Sequence, residues 1–107
     1  MTRGFNALMT HDVTVLQLDS DFTGSHTTLN TFQEKGFVEY DQHRGLNNDG
    51  EQIDINGIVY LKNDTNFDEN HPTWSIQHNN RTMRVVNVAR IDHPITGETH
   101  HYELKVV

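Results

Sequence analysis

Eight histidines and fifteen acidic residues in 107 positions are the chain's main stock of groups able to move a proton or hold a cation. They crowd at the end, where "RIDHPITGETHHYELKVV" carries His93, Glu98, His100, His101 and Glu103 around a Pro/Gly turn. His93 and His100 would face each other across that turn with Glu98 near, giving a two-His, one-carboxylate set of the kind that binds zinc or iron. No third ligand is specified, and the His-x-His spacing that precedes a ligating Glu in cupins is missing. His100 and His101 are neighbours in a predicted strand, so alternation should point them to opposite faces and prevent joint chelation. Cross-strand polar pairing is therefore the expected role of these histidines, and no metal or cofactor is expected.

Other chemistries find less support. In "NNDGEQIDINGIVY" an EF-hand frame with Gly50 at the invariant glycine places Gly45 and Asn56 where the loop needs its first and last carboxylates. Ser20, Ser25 and Ser75 lack a nucleophile-elbow context. No phosphate-binding glycine loop or His-Glu-x-x-His is present. Without cysteine there is neither disulfide nor thiolate. No catalytic residue is expected.

The elements that would position these groups are strands. "DVTVLQLD" alternates Val13, Val15 and Gln17 against Thr14, Leu16 and Leu18, with apolar residues on both faces. A long polar loop is expected over 19–35, leading into a β segment from about Thr28. A strand over 37–42 and a Gly/Asn/Asp turn come next, then strand residues from Gln52. Within that run Asn56-Gly57 is either a two-residue hairpin turn or a bulge in one long strand. A second loop covers 62–73. Trp74, Ile76 and His78 then alternate, Asn79-Asn80 supplies a turn, and Met83, Val85, Val86 and Val88 form the return strand. The Val85-Val86 step breaks period two, as a bulge or a doubly buried strand would. Pro94 and Gly97 mark the last turn.

These segments predict a single all-β domain over 1–107, with six to seven strands and long loops. The expected form is a small antiparallel β-barrel or barrel-like sandwich. The expected core is Val13, Val15, Ile58, Tyr60, Trp74, Ile76, Val85, Val88, Tyr102 and Leu104. In the last strand Tyr102 and Leu104 should face inward with His100 near the strand's start, and His101, Glu103 and Lys105 outward or toward a neighbouring subunit. Phe22, Leu29, Phe32 and Phe67 dot the two polar loops as residues that order against a neighbour would, and with His101 and Glu103 they are the candidate interface.

Composition narrows the partners. An apolar fraction of 34% gives a thin core, one that oligomerisation would complete. A net charge of −7 argues against a reader of duplex DNA. No stretch approaches membrane-spanning length, so a cytosolic setting and no membrane partner are expected. Asn63 and Asn80 match the glycosylation sequon by chance.

The closing segment resembles the small minor-capsid, or head–tail connector, proteins of tailed phages that infect Gram-positive bacteria. The residues that carry the likeness are Trp74, Ile76, Val85, Val88, Asp92, Pro94, Thr96, Gly97, His100, His101, Tyr102 and Glu103. His93 intrudes between Asp92 and Pro94, and Met83 stands where an aromatic is common. The likeness spans 74–107, loosens over 50–62 and is absent from the first 48 residues. It implies a stopper-like, head-completion subunit of the virion neck, assembled in the host cytoplasm into a hexameric or dodecameric ring. Its implied partners are the portal or adaptor protein above and a tail terminator or tail-completion protein below, with DNA passing unbound. A lumen-facing acidic surface would repel that DNA. The competing expectation is a small β-barrel module binding peptide or single-stranded nucleic acid, against which the acidic charge argues.

Overall fold

A computed structural model describes residues 9–20 and 26–107. It contains six strands: β1 (His11–Ser20), β2 (His26–Leu46), β3 (Gln52–Lys62), β4 (Trp74–His78), β5 (Arg81–Asp92) and β6 (Thr99–Val106). All pair antiparallel in the order β1-β2-β3-β6-β5-β4, and β4 hydrogen-bonds back to β1 to close the circuit. The chain is thus an all-β, six-stranded antiparallel sheet with a closed hydrogen-bond ring. Closure removes the open edges that so small a sheet could not otherwise cover.

Alternation decides which side of each strand fills the interior. Val13 and Val15 of β1, Val38 of β2, Ile55, Val59 and Leu61 of β3, Trp74 and Ile76 of β4, Met83 and Val85 of β5, and Leu104 and Val106 of β6 are buried. Val88 and Tyr102 pack against this cluster at its margin. Ile58 and Tyr60 do not join it: the interior face of β3 is the odd-numbered one, so both expected core residues lie on the opposite face. The run "INGIVYL" is apolar on both faces, and no periodicity within it distinguishes them. Pairing makes the choice, because Gly57 and Val59 sit opposite Val106 and Leu104.

Two expected loops prove shorter or different. Most of 19–35 is strand, since β2 runs for 21 residues from His26 and pairs with β1 from Ser20 back to His11. Threonines at 27, 28 and 31 are good strand formers that a polar-loop reading undervalues. Asn56-Gly57 is no turn but the middle of β3, and the bulge lies across from it, where Asp41 and Gln42 together oppose Asn56. Gly57 is required there by close approach: a Cβ would stand 2.7 Å from the Glu39 carbonyl oxygen. The turn at Asn79-Asn80 is as expected, with both residues at positive φ (50° and 64°) linking His78 to Arg81. Val86 is the bulged residue of β5, and Asn48 of the β2–β3 turn fills the gap by donating its N–H to the Val86 carbonyl at 2.9 Å.

The 63–73 connection closes one end of the sheet. The Glu34 carboxylate accepts from the Thr65 hydroxyl and, at 2.8 Å, from the Asn66 N–H. At the far end of the loop the His71 Nε2–H donates to the Leu18 carbonyl at 2.6 Å. Between these anchors Phe67 is driven inward, its ring 4.5 Å from Trp74 and 5.5 Å from Tyr102. The Trp74 indole N–H is satisfied by the carbonyls of Asp68 and His71, both at 3.1 Å, as a buried indole requires.

Candidate functional site

The histidine pair of β6 is arranged differently from simple alternation. Ile91 pairs with His101 and Asp92 with Thr99, leaving His100 as an extra residue in the β5–β6 ladder. A bulge turns its residue out of the pleat. His100 and His101 therefore meet instead of diverging, with their Nδ1 atoms 2.7 Å apart. On its other side His101 Nε2 is 2.9 Å from the Glu103 carboxylate, so the three side chains form a continuous Glu–His–His hydrogen-bonded chain. Glu103 accepts from His101 Nε2–H, and His101 Nδ1 then pairs with His100. Such a chain can hold and pass a proton.

His101 lies on the outward side of β6, as alternation predicts, yet it is buried, at 9% exposure. It stays on the outer face of β6, opposite Lys62, and the ring of Tyr60 lies 6.2 Å away. Burial and the charges of Glu39 and Glu103 push the Tyr60 phenol above its ordinary range.

His93, Glu98 and His100 do border a common open cavity of about 250 Å³, with Asn63, Thr96 and Thr99. His93 serves the turn, however. Its Nδ1 accepts from the N–H groups of Ile95 and Thr96 at 3.2 and 3.4 Å, and its own N–H donates to the Glu98 carbonyl at 2.7 Å. Among the described residues no three His, Asp or Glu side chains converge as cation ligands.

The candidate interface residues divide. Phe22 lies outside the described residues. Leu29 is 49% exposed on the β1–β2 hairpin, at the point where an extra residue enters the ladder. Phe32 is half-buried, its ring edge toward Trp74 at 6.0 Å. Phe67 is 5% exposed and belongs to the core, a correction whose cause is the pair of anchors at Glu34 and His71. Glu103 is half-buried beside His101. Four further exposed large hydrophobics were not anticipated: Tyr40 in β2, Leu46 at the β2–β3 turn, Ile91 in β5 and Ile95, 89% exposed, at the β5–β6 turn.

A second group of histidines escaped the sequence reading. At the end opposite Phe67, the start of β1, the end of β4 and the start of β5 come together. There the rings of His11 and His78 stack at 5.1 Å. His11 stacks on Phe37 at 5.0 Å, His78 on Tyr40 at 5.9 Å, and the Arg81 guanidinium lies over the Tyr40 ring at 4.7 Å. The Tyr40 hydroxyl and His78 Nδ1 are 2.7 Å apart. Burial first, then His11, pushes the His78 imidazole below its usual range. The available signal was parity: His78 continues the inward series Trp74, Ile76, and His11 precedes Val13 and Val15 in the same phase. Comparison with protein-family models, curated proteins and solved structures gives no match for this chain.

Proposed function

We propose that this chain is a structural subunit of a head–tail connector, its closed sheet forming a small β-barrel that assembles with copies of itself into a ring beneath a phage portal and docks the tail. The reading starts from the closing-segment resemblance. One structural observation supports it most: large apolar side chains are exposed on three separate hairpins, Leu29 on β1–β2, Leu46 on β2–β3 and Ile95 on β5–β6. Exposed apolar residues on hairpins suit contacts with other protein surfaces. The cavities described on the surface are open and polar, a poor fit to small-molecule chemistry. A closed interior with a thin core leaves such a subunit dependent on neighbours for further burial.

Native mass spectrometry and electron microscopy of the chain, alone and with a portal–adaptor complex, test the proposal. A ring on the portal is expected, weakened by Leu29→Ser and Ile95→Ser without loss of the fold. A chain that stays monomeric and unattached with those partners present overturns it.

A further inference from the structure

We infer that the stacked histidines His11 and His78 form an acid-released clasp, which holds the start of β1 to β2 and β4 at neutral pH and lets that end of the sheet open on acidification. The inference stands independently of the connector reading.

The geometry assigns the His11 proton. His11 Nδ1 accepts a hydrogen bond from the Val38 N–H at 3.0 Å. An imidazole nitrogen that accepts must be unprotonated, so His11 is neutral with its proton on Nε2. Imidazolium has no acceptor site, and protonating Nδ1 sets one N–H against another and breaks the bond. That bond is an added tie between the first residue of β1 and β2, beyond the pairing of His11 with Gly36. His78 differs. Its Nδ1 meets a hydroxyl, which can donate or accept, so protonating His78 alone keeps its contact with Tyr40. The release is therefore assigned to His11, with His78 setting its sensitivity.

The charges around the pair favour release on protonation. With both rings protonated, two positive charges face each other at 5.1 Å. β5 adds a third, Arg81, over the Tyr40 ring. β2 contributes Phe37, Val38 and Tyr40, none of them anionic near neutrality, and the pairing partner of His78 in β5 is Arg81 itself. Next to His11 in β1, Asp12 is solvent-exposed and ion-paired to Lys35. Among the described residues neither His11 nor His78 has a carboxylate within ion-pair distance, unlike His101 with Glu103. Of the two histidine groups, the Glu–His–His chain of β6 is the one with a carboxylate in contact.

Amide hydrogen exchange read by NMR, with the histidine rings titrated in parallel, tests the clasp. At pH 7.5 the ring nitrogen shifts should identify His11 as the Nε2–H tautomer. Between pH 7.5 and 5.5 the protection factor of the Val38 amide should fall about tenfold or more, while Val59 and Leu104 in the core change by less than about threefold. His11→Asn keeps an acceptor near the Nδ1 position but cannot be protonated there, and it should hold Val38 protection nearly flat over that range. Equal loss at Val38, Val59 and Leu104 would mean global unfolding and overturn the local clasp. So would unchanged Val38 protection in the wild type, or an Nδ1–H tautomer at neutral pH. The tautomer and wild-type exchange measurements decide the matter even if His11→Asn does not fold.

Discussion

Phe67 offers the sharpest test of how the closed sheet is sealed. It sits in a connection with no regular secondary structure, yet it is 5% exposed and packs between Trp74 and Tyr102. A phenyl side chain removes roughly 150–250 Å² from water. At ~25 cal/mol per Å² that is an upper bound of about 4–6 kcal/mol. The two ring contacts add to the loss, whereas relaxation of the loop would recover part of it. Relaxation is limited because Glu34 holds the loop at Thr65 and Asn66, and His71 holds it at Leu18. Phe67→Ala should therefore leave a cavity against Trp74 and cost about 3–4 kcal/mol, within the range for phenylalanine truncation in cores. Against a total stability of ~5–15 kcal/mol for a domain of this kind, the shift is large. Urea denaturation followed by Trp74 fluorescence reads it directly, and Leu29→Ala, at an exposed site, should stay within ~0.5 kcal/mol as a control. A Phe67→Ala cost below ~1 kcal/mol would refute the view that this loop is part of the core.

Other expectations follow from single contacts. Gly57→Ala should cost ~1–3 kcal/mol in the same assay, because its Cβ meets the Glu39 backbone carbonyl, which cannot swing aside as a flexible side chain would. His101→Ala should cost about 1–2 kcal/mol, since it strips a partner from half-buried Glu103; a neutral result would mean that the His101–Glu103 contact contributes nothing to the fold. Stability should fall with acid below about pH 6.5: the folded chain keeps His78 neutral where the unfolded chain would protonate it, so the unfolded state binds more protons there. Chemical denaturation from pH 8 to 5 checks this, and His78→Asn should flatten the lower part of the curve. Replacing Asn79-Asn80 by Ala-Ala should cost about 2–4 kcal/mol, at ~1–2 for each residue held at positive φ, while Gly-Gly costs less.

The local pattern of the chain already determines the strand class, the turn at Asn79-Asn80, the inward series Val13, Val15, Trp74, Ile76 and the inward placement of Leu104. Each depends on nearest-neighbour physics: period-two alternation, turn residues that tolerate positive φ, and apolar side chains on one side. Where both sides are apolar the pattern gives no answer, and β3 shows this, with Ile58 and Tyr60 expected inside but Ile55, Val59 and Leu61 found there. Three further features depend on partners distant in the chain. Phe67 became core through Glu34 and His71, which stand 33 and four residues away from it. His100 met His101 because the β5–β6 ladder has an extra residue at that point. The stack of His11 on His78 joins residues 67 positions apart, brought together by the β1–β4 pairing that closes the sheet. A one-residue slip in register exchanges faces without altering composition or periodicity. Closing the sheet selects one register, and only then is it settled which histidines meet.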